Sequence, residues 1–314
     1  KDVAPTALTF GPVSYGYNGF RTAQGAPDTR FWDPNYTPAD AEEKKLDFLA
    51  YYLQQMASAH ATDGRRLLDV LDVHWYSEAR STPGDERVVS FNPYGVCSNA
   101  ADQVAARVQA PRSLWDATYQ ERSWVANQTD TLNGPVRLIP RLKKIIADNY
   151  PGTKIAITEY NHGCGNHISD AVAQADTLGI FGREGVYAAM FWAVGSDLYP
   201  NAALKMFRDY NGVGGMVGDV AVAATTADIA KTAVYAMAHT GDDNVVDVVV
   251  INRQTTAQPV AVRLTHPIAM SQVGIYQLDA TTSTPRDAGT AAVSQNQYVY
   301  NAPAMSVTTL VFRR

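Results

Sequence analysis

The sequence of 314 residues lacks the features that mark several common classes of protein. Its two cysteines permit one disulfide but cannot define a cysteine framework. No apolar run approaches the roughly 20 residues that span a bilayer, so we expect no membrane segment. Lysine and arginine are dispersed and the formal net charge is -5, so no basic stripe marks a nucleic-acid surface. We therefore expect neither a membrane protein nor a nucleic-acid-binding protein.

The chain is rich in residues that can form a core. Hydrophobic residues make up 46% of it and charged residues 18%, which predicts a soluble globular protein. The N-terminus, Lys-Asp-Val-Ala-Pro, carries neither methionine nor a signal-like apolar core, so we expect a processed or cut end. Cys97 and Cys164 both lie in loops after predicted strands, and the sequence leaves open whether they form a disulfide or remain two free thiols.

Strands and helices alternate in the first two thirds of the chain. Predicted strands cover residues 7–12, 67–76, 154–160 and 186–194, and amphipathic helices are predicted to begin at Thr37–Pro38, Pro135 and Ser169. Such alternation requires parallel strands joined by crossover helices. No Gly-x-Gly-x-x-Gly or Walker-type loop follows any strand, which favours half of a βα barrel over a doubly wound open sheet. The connection over 77–133 is predicted to be a long, irregular and functional insertion.

The pattern changes near residue 215. Short strands predicted at 245–251, 259–265, 273–278 and 306–312 are separated by Thr, Ser, Pro, Gly and Asp, which is typical of a β-sandwich. The glycine-rich stretch 211–218 is predicted to be a domain junction. We therefore divide the chain into residues 1–214, the βα domain, and residues 215–314, the β-sandwich domain.

One carboxylate is placed for chemistry. Glu159 lies at the C-terminal end of an apolar run, and that end of a barrel strand belongs to the active-site face. His74 and Tyr76 alternate with Trp75 and so share one face of their strand, aimed at a site or, alternatively, forming a core histidine beside a half-buried tyrosine. A glycosidase of the usual kind needs two carboxyl groups, and no second one is evident.

Aromatic residues favour a carbohydrate surface. All five tryptophans precede the predicted sandwich, and their faces stack on pyranose rings. Core filling is the alternative for Trp75 and Trp192. It is less favoured for Trp115 and Trp124, because their neighbours Asp116, Glu121, Arg122 and Ser123 are predicted to be solvated. The cluster His162, Cys164 and His167 fits no standard zinc spacing, so we expect no metal site and a hydrogen-bonding role for this loop.

Six ordered segments resemble the glycoside hydrolase family 44 endoglucanases. They are Leu-Leu-Asp-Val-Leu-Asp-Val-His-Trp-Tyr (67–76), Gln-Ala-Pro-Arg-Ser-Leu-Trp-Asp (109–116), Ile-Thr-Glu-Tyr (157–160), Gly-Asn-His-Ile (165–168), Ala-Gln-Ala-Asp (173–176) and Leu-Gly-Ile-Phe-Gly (178–182). The resemblance implies an α/β fold, a (β/α)8 TIM barrel of which this chain carries about strands 5 to 8, followed by a β-sandwich. It also implies a retaining clan A hydrolase of β-1,4-glucans, with xyloglucan or xylan accepted by some members.

The resemblance also implies roles for individual residues. Glu159 in Thr-Glu-Tyr resembles the catalytic nucleophile, and His74 and Tyr76 resemble residues that hydrogen-bond the nucleophile and the substrate. Trp192 resembles an aromatic platform, and Trp124 a tryptophan that lines the cleft. The family's acid/base glutamate lies in an Asn-Glu-Pro motif that this sequence does not contain. We therefore expect the N-terminal part of the same enzyme to complete the barrel and to supply the acid/base.

Other interpretations remain open at this stage. Glu78, two residues beyond Tyr76 on the same face, is an alternative acid. The chain is alternatively a noncatalytic β-glucan-binding protein or an inactive fragment. We expect no required cofactor, although a structural calcium ion would be compatible with the sequence. We also expect a secreted, extracellular protein. Four strands alone would leave an unpaired sheet edge, so the isolated polypeptide is expected to aggregate or stay partly unfolded.

Overall fold

The computed structural model describes residues 3–22, 47–81, 87–88, 98–128, 132–163, 165–192 and 198–314. Cys97, Cys164, Trp32 and the predicted helix start at Thr37–Pro38 lie outside these residues. Within them, no helix has the length and apolar character needed to cross a membrane.

The chain divides into two compact units, each built from separate stretches of sequence. One comprises Lys1–Arg80, Arg112–Asn161 and Glu184–Ala193, and the other comprises Ser81–Pro111, His162–Arg183 and Val194–Arg314. The boundary between residues 214 and 215 stays a prediction.

A four-stranded parallel sheet forms the centre of the first unit. Its order is β1-β2-β3-β4, with β1 at Phe10–Ser14, β2 at Val70–Tyr76, β3 at Lys154–Asn161 and β4 at Ala188–Phe191. All three pairings are parallel, as the alternation of strands and helices predicted. The helices of this unit are α1 (Tyr17–Thr22), α2 (Asp47–Asp63), α4 (Trp124–Asn127) and α5 (Leu138–Asn149).

The apolar stripes of the helices explain their packing. Leu49 and Leu53 of α2 are fully buried, as are Ile139 and Leu142 of α5, and the two helices contact each other. These residues recur at the spacing that keeps them on one helical face. In β2 the side chains at both faces are buried up to Trp75, as expected of a strand in a parallel sheet.

The prediction of an irregular segment over 77–133 is wrong for the residues that the structure describes. The segment contains α3 (Ala101–Gln109), a 3-10 helix at Ala110–Leu114, and α4. Helix α3 escapes a search for apolar periodicity because Gln103 and Arg107 are buried on it beside Val104 and Val108. Two of the four buried positions are therefore polar.

The second unit combines helices with antiparallel sheets. A six-stranded sheet has the order β10-β9-β12-β7-β6-β5, and a two-stranded sheet pairs β11 with β8. Their bounds are β5 Val220–Val222, β6 Thr232–His239, β7 Asp242–Asn252, β8 Gln258–Arg263, β9 Gln272–Asp279, β10 Thr282–Ala292, β11 Gln297–Ala302 and β12 Ser306–Arg313; α6 is Ile168–Glu184 and α7 is Leu198–Arg208. Val248, Val262 and Leu310 belong to one apolar core that includes residues of both sheets. This arrangement is consistent with the expected β-sandwich.

Helix α6 is fixed within this unit by a buried polar triad. Tyr235 Oη donates to Asp176 Oδ1 at 2.7 Å, and Arg253 donates to the other carboxylate oxygen at 2.5 Å. All three residues are buried. Gly179 lies one turn along the helix, and a Cβ there would be 2.2 Å from Cδ2 of the Tyr235 ring. The triad and the glycine together define how closely α6 packs on β6.

Candidate active site

Glu159 is held by two side chains from the neighbouring strand. Tyr76 Oη donates to Glu159 Oε2 at 2.9 Å, and His74 Nδ1 lies 3.2 Å from the same oxygen. The Glu159 side chain is 31% exposed, whereas His74 is buried. Both contacts go to Oε2, and among the described residues Oε1 accepts no hydrogen bond. The structure thus brings together the three residues that the sequence placed at two strand ends.

The contact between Glu159 and His74 depends on a register shift. Val73 is opposite Ile157, but the next residue, His74, is opposite Glu159 and not Thr158. In a regular ladder Thr158 would occupy that place, and Glu159 would lie on the face of Val73 because side chains alternate. A bulge in one strand re-aims side chains in this way.

The pairing with β4 shows the same extra residue. Ile157 is opposite Ala189 and Tyr160 is opposite Phe191, so three steps along β3 match two along β4. The excess therefore belongs to β3. Beyond it, Tyr160 lies beside Trp75, and both side chains are buried.

The extra residue, Thr158, hydrogen-bonds to the buried carboxylate of Asp72. Thr158 Oγ1 donates to Asp72 Oδ1 at 2.8 Å. Asp72 is 3% exposed. Burial raises the pKa of Asp72, and the hydrogen bond from the Thr158 side chain opposes that rise. Sequence reasoning missed this residue, although Asp72, His74 and Tyr76 form a polar series at every second position of an apolar strand.

Tyr76 is a permanent hydrogen-bond donor at this site. Burial raises the pKa of Tyr76, and the hydrogen bond to the Glu159 carboxylate raises it further. The phenol therefore keeps its proton well above neutral pH. An oriented carboxylate with one bonded and one available oxygen can act as a nucleophile or a base.

The tryptophans differ in exposure. Trp192 follows β4 and is 52% exposed, and its backbone is tied to β3 because its N–H donates to Tyr160 O at 3.1 Å and its carbonyl accepts from Asn161 Nδ2 at 2.6 Å. Trp75 is 1% exposed, so core filling is its role. Trp124 begins α4, where its half-buried ring packs edge-on against Tyr17 with 5.8 Å between centroids.

The expectation of a solvated surface around Trp115 and Trp124 is wrong for three of its four residues. Asp116, Glu121 and Ser123 are buried. Glu121 Oε2 accepts from Ser113 Oγ at 2.5 Å and from Ser77 Oγ at 3.4 Å. Burial raises the pKa of Glu121, and the nearby charge of Glu78 acts in the same direction. Acidic residues in this segment are therefore buried and hydrogen-bonded inside the loop, which composition alone does not reveal.

The loop after β3 carries the histidines noted in the sequence. His162 is buried, and burial lowers its pKa to about 3, so its ring is neutral. His167 Nδ1 lies 2.9 Å from Ser169 Oγ, in line with the hydrogen-bonding role expected of this loop. Cys164 is outside the described residues. No group of three or more potential ligands in the described part of the chain is arranged to hold a metal ion.

Among known proteins, the family model of glycoside hydrolase family 44 matches residues 1–79 of this chain. The chain is 38% identical over 317 residues to an endoglucanase A of Paenibacillus lautus, a match that covers 100% of this chain and 42% of the relative. A family 44 endoglucanase structure from Clostridium thermocellum matches with a TM-score of 0.88 at 36% identity, covering 99% of this chain and 58% of that one. A family 44 xyloglucanase structure from Paenibacillus polymyxa matches with a TM-score of 0.87 at 35% identity, covering 98% and 57%.

These matches confirm the resemblance to family 44 that the sequence indicated. The matches to the three relatives extend along essentially the whole of this chain, whereas the chain spans about half the length of those relatives.

Proposed function

We propose that this chain is part of a retaining endo-β-1,4-glucanase that hydrolyses cellulose-type β-glucans, in which Glu159 is the nucleophile. The carboxylate held through Oε2 by Tyr76 and His74, in a chain related throughout to family 44, is the observation that supports it. Oε1 attacks the anomeric carbon, the glycosidic bond breaks, and a glycosyl-enzyme forms that water then hydrolyses. The exposed ring of Trp192 supports the sugar, and Trp124 lines the cleft. Xylan or xyloglucan are further substrates within the same proposal.

The proposal includes a (β/α)8 barrel of which β1 to β4 are half, followed by a β-sandwich over 215–314. The rings of Phe10 in β1 and Tyr187 just before β4 have centroids 6.3 Å apart, a contact between the two ends of the sheet that is compatible with a sheet curled toward barrel closure. The other strands and the acid/base come from polypeptide outside these 314 residues. Retention requires the acid/base carboxyl group to lie about 5 to 5.5 Å from that of Glu159.

The test uses a substrate analogue that does not need the acid/base. A 2,4-dinitrophenyl 2-deoxy-2-fluoro-β-cellobioside loses dinitrophenolate with the bonding electron pair, so no proton has to be donated. We expect the complete protein to gain one fluoroglycosyl group, located on Glu159 by peptide mass spectrometry. The isosteric Glu159→Gln variant should gain none. An adduct on Glu78, or no adduct, would contradict the assignment.

A noncatalytic β-glucan-binding protein is the second candidate, and the exposed Trp192 is the observation that favours it. The two functions differ in the behaviour of Glu159→Gln. In an enzyme this change abolishes hydrolysis of carboxymethylcellulose and largely preserves binding. In a binding protein no hydrolysis is present to lose. Rates on carboxymethylcellulose, xylan and xyloglucan would then define the substrate preference.

A further inference from the structure

The extra residue of β3 is tied to the neighbouring strand through its side chain. A bulged residue is left out of the regular ladder, so the ladder does not fix its place. Here that residue is Thr158, and its hydroxyl donates to Asp72 Oδ1 at 2.8 Å.

Asp72 is placed to act on the strand and not on a ligand. It lies on β2 two residues before His74, opposite Ala156, and it is 3% exposed. It therefore lies two residues nearer the N-terminal end of β2 than His74, the nearer of the two residues that hold Glu159. The hydrogen bond from the Thr158 hydroxyl to Asp72 joins residues that are 86 positions apart in sequence.

We propose that Asp72 is a positioning residue that pins Thr158 outside the ladder, so that Glu159 stands opposite His74 and within reach of Tyr76. This inference rests on the proposed role of Glu159 as nucleophile. Without the pin, the end of β3 can relax toward regular pairing, in which Thr158 takes the place opposite His74. The carboxylate oxygen would then leave the geometry that attack on an anomeric carbon requires.

The experiment measures the trapping step itself. Intact mass spectrometry follows the growth of the labelled fraction with the dinitrophenyl fluorocellobioside. The fits give the first-order rate constant at saturation and the concentration for half-maximal rate, both for the molecules that become labelled. Counting only labelled molecules makes the rate independent of how much of a variant is folded. A merely structural role would lower the labelled amount and leave this rate unchanged.

We expect Asp72→Ala to lower the saturating rate constant roughly tenfold or more, since small displacements of reacting groups have effects of that size. The half-maximal concentration should change less than about threefold, because Asp72 touches no sugar. Asp72→Asn keeps one acceptor oxygen and should fall between Asp72→Ala and the parent.

A second pair of variants keeps the test decisive if Asp72→Ala does not fold. Thr158→Val removes the hydroxyl at nearly constant shape and should slow trapping, and Thr158→Ser should restore it. Thr177→Val is the matched control, since the Thr177 hydroxyl is also buried but donates to Ala173 O in α6. Its rate should equal that of the parent.

The outcomes separate this inference from the proposed function. Absence of an adduct on Glu159 in the parent protein overturns the nucleophile and the positioning role together. Labelling of Glu159 in the parent with unchanged rates in Asp72→Ala and Thr158→Val overturns only the role of Asp72.

Discussion

Two glycines of α6, three residues apart, should respond in opposite ways to the same substitution. At Gly179 a Cβ would lie 2.2, 2.3 and 2.4 Å from three atoms of the Tyr235 ring. At Gly182 a Cβ would meet nothing within 4 Å. Since both positions are helical, alanine improves the intrinsic helix stability equally at each, by about 0.5 to 1 kcal/mol.

The cost at Gly179 follows from what holds the ring. Carbon atoms in contact are about 3.5 to 4.0 Å apart, so Tyr235 must move by more than 1 Å, and its 2.7 Å hydrogen bond to Asp176 cannot survive that movement. Losing a hydrogen bond to a charged group costs about 1.5 to 3 kcal/mol, and residual overpacking adds about 1 to 3 kcal/mol. After the gain in helix stability, Gly179→Ala should lower the free energy of unfolding by about 2 to 5 kcal/mol.

Urea denaturation followed by circular dichroism measures both variants against the parent. Gly182→Ala should raise the unfolding midpoint slightly, which controls for any general effect of alanine in α6. A Gly179→Ala protein as stable as the parent would refute the reasoning, because the ring would then not be fixed by Asp176.

Two further predictions concern single side chains. Trp192→Ala should weaken binding of cellopentaose by about 1 kcal/mol, measured by calorimetry, because its exposed ring offers a stacking face; unchanged affinity would exclude a platform role, and unfolding stability should stay within about 0.5 kcal/mol. Burial raises the pKa of Glu121, so the folded state holds that proton more tightly than the unfolded chain, and this contribution to stability is lost as the pH rises through the raised pKa. The neutral amide of Glu121→Gln does not titrate, so the stability of the variant relative to the parent should increase as the pH rises above the ordinary pKa of a glutamate carboxyl, and a constant difference in urea midpoints would contradict this.

Much of the first unit could be predicted from local pattern. The apolar run that ends at Glu159 and the alternation of His74 with Trp75 depend on neighbouring residues only, and the structure has strands at both places. The strands β10 and β11 were missed because their exposed Thr, Ser, Arg and Gln residues resemble loop composition. Such strands are defined by pairing with β9 and β8 and not by their own apolar pattern.

The detail of the site was beyond sequence reasoning for a physical reason. Alternation assumes an uninterrupted ladder, and the register shift at Thr158 is visible only when the partners in β2 and β4 are known. The carboxylate of Asp72 that accepts from Thr158 likewise becomes its neighbour only in the folded sheet. The family resemblance did indicate that His74 and Tyr76 contact Glu159, whereas the part that Asp72 plays beside them was not predicted.

The register shift also makes a misaligned end of β3 unfavourable. If that end slipped by one residue into regular pairing, the Glu159 carboxylate would be driven among apolar side chains and the ring of Tyr160 would emerge into water. Both exchanges are unfavourable, the first strongly so because an unpaired charge resists leaving water. Regular pairing is therefore disfavoured at two adjacent residues, and this penalty adds to the contact of Asp72 with Thr158 in keeping the end of β3 in its shifted register.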